Sequence, residues 1–279
     1  MVKTELPNVP AIPLVCDSPH SGTHYPDDFK HSVEFSDLRR CEDTHVEKLW
    51  AAVPSVGGTL IHALFPRSYT DTNRTEFDID ASMIESEWPG RVEPSKRCLA
   101  LGNGLFFSMT TTLQRIYDRK LTVGELQHRL NTGWRPYRHA LAQALNSASL
   151  QHGKRFHLNL HSMPSNAYER LGIATGKVLA DVVLGDLNGA ACSADFTAFV
   201  AQAFRQRGYS VAINDPYVGM DLLATHGAPE KQHHSLQIEL NRRLYLNEQT
   251  REPLPQFDQI QTDITSLLTD IASHVQQQL

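Results

Sequence analysis

Phe156-His157-Leu158-Asn159-Leu160-His161-Ser162-Met163-Pro164 alternates apolar and polar residues for one strand length, then stops at His-Ser and a proline. Alternation at period two predicts a β-strand. A histidine at the end of such a strand falls at the rim of a sheet, where open α/β folds place their ligands. Pro13-Leu14-Val15-Cys16-Asp17-Ser18, followed by Pro19-His20-Ser21-Gly22, has the same design. Two histidines on two strand ends, each followed by serine, suggest two arms of one metal site.

Outward from these strands the chain alternates between the two periods. Residues 10–18, 59–65, 157–161, 180–184, 209–213 and 234–240 read as strands. Residues 36–52 have helical spacing, with Leu38, Cys41, Val46, Leu49 and Trp50 on one apolar face and Ser36 as N-cap. Residues 108–119 and 122–150 read as two helices, the second opened by a Thr122/Glu125 capping box and interrupted by Pro136. Asp195 to Arg207 reads as an amphipathic helix ended by Gly208, and Gln256 to Gln278 as a closing helix. The stretch 78–104 reads as irregular. Strands alternating with helices predict an α/β protein with a mixed or parallel sheet covered on both faces. One domain over residues 1–279 is the simplest reading.

Composition excludes several classes. The chain has 279 residues, 41% hydrophobic and 20% charged, as in a globular protein. No apolar run is long enough to span a membrane, and the first residues lack the pattern of a signal peptide, so the expected location is cytoplasmic. The net charge of −5 argues against a nucleic-acid partner. Cys16, Cys41, Cys98 and Cys192 are scattered, which speaks against a zinc finger or a disulfide framework. The oligomeric state is not encoded in any recognisable pattern.

A catalytic zinc has three protein ligands from His and carboxylates and keeps a fourth position for water. His20 and His161 are the nitrogen ligands. His24 lies four residues after His20, but a helix through Gly22 with Pro26 behind it is disfavoured. The preferred third ligand is Asp43, from the helix expected next, with Glu42 and Asp17 as competitors. The same chemistry would accept Zn2+ or another divalent metal.

His234-Ser235-Leu236-Gln237-Ile238-Glu239-Leu240-Asn241-Arg242 places Leu236, Ile238 and Leu240 on one face and Ser235, Gln237, Glu239 and Asn241 on the other. That polar row is either the solvent side of an edge strand or the lining of a cleft with Glu239 as general base. Arg67 and Arg74 flank a short polar loop and suit a carboxylate or an oxyanion. Arg242 and Arg243 add a positive pair beside Glu239, and together the arginines point to a small anionic substrate.

Pro19-His20-Ser21-Gly22, Asp71-Thr72-Asn73-Arg74, Leu160-His161-Ser162-Met163-Pro164, Asp181 to Asp186, Asn214-Asp215-Pro216-Tyr217 and Gln237 to Arg242 occur in this order. Together, over residues 12 to 250, they resemble the N-formylglutamate amidohydrolase family, a relative of zinc carboxypeptidases and aspartoacylases. The resemblance implies a three-layer α/β/α fold with a central mixed, mostly parallel sheet, and a zinc held by two histidines and a carboxylate. It implies that His20 and His161 are ligands and that Glu239 is the base. Arg67 would polarise the carbonyl, and Asn73 and Arg74 would grip the α-carboxylate. Carboxypeptidases take their carboxylate ligand three residues after the first histidine, where this chain has Thr23. Where many members carry a histidine after the Pro-Tyr of the middle helix, this chain has Arg138. The implied reaction is hydrolysis of N-formyl-L-glutamate, a last step of histidine breakdown. Rival readings are an amidase for other N-acyl amino acids or small peptides, and a metal- or ligand-binding protein without turnover.

Overall fold

The alternating stretch forms a strand, β4 (Arg155–Met163), with all nine residues buried. It runs parallel to β2 (Leu14–Ser18) on one side and to β7 (His233–Asn241) on the other. β5 (Val182–Gly185) joins β7 antiparallel, and β6 (Val211–Ile213) joins β5 parallel. With β1 (Val2–Glu5) and β3 (Thr59–Ala63) the order is β1-β3-β2-β4-β7-β5-β6, a mixed seven-stranded sheet. This is the α/β architecture expected from the alternation of strands and helices. The computed structural model describes all residues, 1–279.

The chain divides into two compact units. The larger comprises Thr4–Ser18, His45–Ile61 and Leu141–Leu279, and it includes the one-turn helix α6 (Ala167–Arg170). In it, Leu14, Cys16, Phe156, Leu158, Leu160, Leu236, Ile238 and Leu240 share one sheet face and form a core with α2 (Val46–Leu49), α7 (Ala194–Gln206) and α9 (Phe257–Gln277). A register slip of one residue would turn this apolar set to the opposite face, so the core fixes the pairing. The other face carries Asp17, His157, Asn159, His161, Ser235, Gln237 and Glu239, all buried. Burying that many polar groups is tolerated only when they bond one another. The short helix α8 (Asp221–His226) lies on this face, with the His226 ring edge-on to His157. β7 is therefore a central strand between β4 and β5, and its polar row is not the solvent side of an edge.

The smaller unit comprises Met1–Lys3, Pro19–Thr44 and His62–Ala140. It holds α1 (Phe35–Arg39), α3 (Lys96–Leu101), α4 (Val123–Arg129) and the beginning of a long helix, α5 (Arg135–His152). Thr122 and Glu125 form the capping box in both directions. Between α4 and α5 the backbone widens into a π-helical turn at Leu130–Trp134. Pro136, which has no N–H to donate, follows that turn at the second position of α5, so helical structure runs on past it. Arg129 is buried among aromatic rings, over Phe29, Tyr69 and Tyr117, and bonds Tyr117 at 2.6 Å.

The single helix expected at 36–52 is instead two short helices, α1 and α2, separated by the turn 40–45, where His45 takes a left-handed conformation. Ser36 lies inside α1, and Glu34 is the N-cap. The helix expected at 108–119 is a run of turns, with Leu113 at positive φ. The stretch 78–104 contains α3, capped by Ser95, which accepts from Cys98 N. Its two turns were too short for periodicity to reveal.

Candidate active site

His20 follows β2 in a loop that has no helix, so the His20–His24 pairing does not form, and His24 is exposed. The loop is held close to the residues after β3: His24 N donates to Leu64 O at 2.8 Å. At Gly22 an added Cβ would lie 2.3 Å from Phe65 O, so only glycine fits there.

The His20 ring is gripped from behind. Its Nε2 lies 2.7 Å from Asp71 Oδ1, and its Nδ1 faces Asp43 Oδ2 at 3.5 Å. Asp71 accepts only, so Nε2 carries a proton, and in the neutral ring the lone pair falls on Nδ1, on the Asp43 side. Asp43 sits in the turn between α1 and α2, not on a helix, and its N–H donates to His20 O at 3.0 Å.

The competing carboxylates are engaged elsewhere. Glu42 accepts from Tyr25 at 2.7 Å, from Thr44 at 2.9 Å and from Arg39. Asp17 accepts on one oxygen from His157 Nε2 at 2.8 Å and from Asn159 Nδ2 at 2.7 Å.

Asp71 also organises the arginine loop. Its Oδ2 accepts from Arg67 Nη2 at 2.7 Å and Nε at 3.2 Å, and its Oδ1 accepts from Asn73 N at 2.9 Å. Burial alone would raise the Asp71 carboxyl; the charges of Arg67, His20 and Arg74 outweigh it and hold the group well below the usual carboxylate range. Arg67 also lies over the Phe107 ring. Arg74 bonds Asn103 O at 3.1 Å and Asn73 O at 2.9 Å, while Trp134 Nε1 donates to Arg74 O at 3.1 Å. Arg138 stacks on Trp134 and donates to Thr72 O at 3.2 Å. The loop from Arg67 to Arg74 is thus fixed by its own carboxylate and by the helix beside it.

On β4 and β7 the parallel register makes His161 and Glu239 direct neighbours. His161 Nε2 lies 2.7 Å from Asn159 Oδ1. Gln237 Nε2 donates to Glu239 Oε1 at 3.0 Å. Arg242 is buried and clasps Ser162 through Nε to Oγ at 3.1 Å and Nη2 to the carbonyl at 3.3 Å. Arg243 instead pairs with Asp181 at 2.8 Å near the surface.

His20 and Asp43, both buried, turn Nδ1 and Oδ2 toward each other at 3.5 Å, and His161 is buried near the end of β4. Two imidazoles and a carboxylate, all buried, are a donor set suited to zinc and to several other divalent metals. The residues fit a metal, and each imidazole has its far nitrogen held by an oxygen acceptor, as metal-ligating histidines characteristically do. Two further groups were not singled out in the sequence. Asp71 opens the stretch Asp71-Thr72-Asn73-Arg74, where nothing in the sequence points to its partners, and Asn159 lies on the polar face of its strand, where the sequence shows no partner.

A family profile described as N-formylglutamate amidohydrolase matches residues 12–246. The N-formylglutamate deformylase of Pseudomonas putida is 26% identical over 85% of this chain and 83% of that protein. The crystal structure of N-formylglutamate amidohydrolase from Ralstonia eutropha JMP134 superposes with a TM-score of 0.97 at 48% identity, covering 100% of this chain and 99% of that one. A gene product of Agrobacterium tumefaciens, at 13% identity and a TM-score of 0.69 over 99% of this chain and 95% of that one, shares the fold.

Proposed function

The chain belongs to the N-formylglutamate amidohydrolase family, and from that premise we propose that it hydrolyses N-formyl-L-glutamate to formate and L-glutamate in a metal-dependent reaction. The carrying observation is Glu239 in direct register with His161, supported by buried His20 and Asp43 facing each other at 3.5 Å.

In this proposal His20, Asp43 and His161 hold a zinc ion. When bound, zinc supplies Lewis acidity, polarising the formyl carbonyl and lowering the pKa of water. Glu239 takes the proton from the attacking water and delivers it to the departing amine nitrogen of glutamate. Gln237, donating to Glu239 Oε1, keeps that carboxylate from swinging away. Arg67 stabilises negative charge as it builds on the carbonyl oxygen, its guanidinium oriented by Asp71. Asn73 and Arg74 bind the substrate α-carboxylate, and Arg242, fixed by Ser162, adds positive potential.

The substrate class is therefore a small anionic N-acyl amino acid, and the whole chain acts as a single catalytic domain. A cytoplasmic site of action belongs to the same proposal: all four cysteines are buried and unbridged, as expected in a reducing compartment. No helix is long and apolar enough to cross a membrane.

The test is formate release from N-formyl-L-glutamate by purified protein before chelation, after chelation and after zinc is restored. Release that is lost and recovered with zinc supports the reading. No release from zinc-loaded protein, with release from N-acetyl amino acids, would move the activity to another acyl class. Binding of either without turnover would leave a ligand-binding protein.

A further inference from the structure

The polar face of the central strands is a single line of hydrogen bonds. Ser235 Oγ meets His157 Nδ1 at 2.7 Å; His157 Nε2 meets Asp17 Oδ1 at 2.8 Å. Asn159 Nδ2 meets the same Asp17 oxygen at 2.7 Å, and Asn159 Oδ1 meets His161 Nε2 at 2.7 Å. Every member is buried. The register explains the line: Asp17 pairs with Asn159 across β2 and β4, and His157 pairs with Ser235 across β4 and β7.

One carboxylate dictates the direction of every bond in this line. A carboxylate has no proton to give, so both groups on Asp17 Oδ1 must donate. Asn159 can donate only through its nitrogen, which turns its oxygen toward His161. An amide oxygen only accepts, so His161 must carry its proton on Nε2. A neutral imidazole carries one N–H, so the lone pair of His161 falls on Nδ1. On the other side, His157 donates from Nε2 and accepts the Ser235 hydroxyl proton on Nδ1.

We propose that Asp17 is a positioning residue that selects the nitrogen His161 offers to a metal, acting through the Asn159 amide. The inference rests on the reading of His161 as a metal ligand. Without Asp17, the Asn159 amide has no reason to prefer one face. A flipped amide would donate to Nε2, move the proton to Nδ1, and leave the metal-facing nitrogen without a lone pair. His20 needs no such relay, because Asp71 holds its Nε2 directly.

The experiment uses the full-length protein with 15N-labelled histidine. Long-range 1H–15N spectra at about pH 8, where ordinary imidazoles are neutral, report which ring nitrogen carries the proton, and His161→Gln assigns the signals. Zinc affinity is measured in parallel by competition with a chelator. The wild type should show His161 protonated on Nε2. Asp17→Ala should convert His161 to a tautomer mixture and weaken zinc binding about 10- to 100-fold, the usual effect of losing a partner behind a ligand.

The exchange variant Asp17→Asn/Asn159→Asp keeps volume and charge. It restores the order on the His161 side: Asp at 159 accepts from His161 and from the new amide nitrogen, whose second N–H meets His157 Nε2, with the His157 proton moved to Nδ1 and donated to Ser235 Oγ. It should return the single tautomer and bring zinc affinity to within about threefold of wild type, well short of the loss at Asp17→Ala. Wild-type His161 protonated on Nδ1 overturns the proposal. So does Asp17→Ala with an unchanged tautomer and affinity. If Asp17→Ala does not fold, an exchange variant with a scrambled tautomer overturns it equally. His161→Gln that binds zinc as tightly as wild type would instead sink the ligand reading, and the spectra separate the two failures.

Discussion

His20 comes from a loop and is backed by a charged carboxylate, while His161 comes from a central strand and is backed by a neutral amide. Behind His20, Asp71 is also the anchor of Arg67 and Asn73, so the orientation of the His20 ring and the arginine loop share one group. Behind His161, Asn159 leads inward to Asp17 and His157, along β-strands whose register a hydrophobic core enforces. A loop has no ladder to hold it, and a charge-assisted bond supplies the missing rigidity. A strand is already rigid, and a weaker, uncharged contact suffices to choose the tautomer.

The sharpest challenge to this comparison is to remove each imidazole. His20→Ala and His161→Ala should both abolish stoichiometric zinc, measured by metal analysis. Each should lower kcat/KM beyond the roughly 10²- to 10⁴-fold that a lost acid–base group costs. An active, zinc-replete His20→Ala protein would mean the two arms are not equivalent partners. Glu239→Gln should keep its zinc and fold yet lose about 10²- to 10⁴-fold in kcat, read by formate release; an unchanged rate would remove Glu239 from the chemistry.

Asp71→Asn tests the loop arm. Zinc affinity should drop about 10- to 100-fold, and kcat should drop further as Arg67 loses its anchor. The same variant should change the acid side of stability in metal-free protein. Asp71 has a folded pKa below its unfolded value of about 3.9, so its contribution is fully present above that value and is lost as pH falls through the folded pKa. Thermal melts of wild type against Asp71→Asn should therefore differ most near neutral pH and draw together as the pH falls below the unfolded value of about 3.9. Parallel curves would show that the carboxyl has the same pKa in the folded and unfolded states. The smallest effect is expected at the far end of the strand arm. Ser235→Ala leaves His157 Nδ1 without its donor and should cost about 1–3 kcal/mol in stability, with zinc affinity close to wild type.

The two regions were also unequally legible in the sequence. Period two was enough to place His161 and Glu239 on the polar faces of two strands, and the unbroken alternation from Phe156 to His161 leaves little room for another reading. That the two are neighbours was not legible, because it depends on β4 and β7 pairing at one register across a sequence gap of dozens of residues. Nor was Asp17's partnership with Asn159, which needs a third strand. The loop arm gave less. His20 was flagged by its position after a strand, but Asp43 was expected on a helix and lies in a turn, because the apolar spacing of 36–52 persists through a break that left-handed His45 makes. The helix expected at 108–119 failed for a related reason: polar and apolar residues at near-helical spacing also fit a chain of turns when no cap or tertiary face commits them.

The widened turn at Leu130–Trp134 holds one residue more than an ordinary helical turn would. Each residue of an α-helix advances the direction of a side chain by about 100°. The turn therefore works as a phase shift between α4 and α5. It lets the helix begin under its capping box, keep Arg129 among its aromatic rings, and still bring Trp134 and Arg138 round to the backbone of Thr72 and Arg74. Deleting a single residue from this turn would give a more regular helix and would rotate both side chains away from the loop they steady, with no change to any residue that touches a ligand.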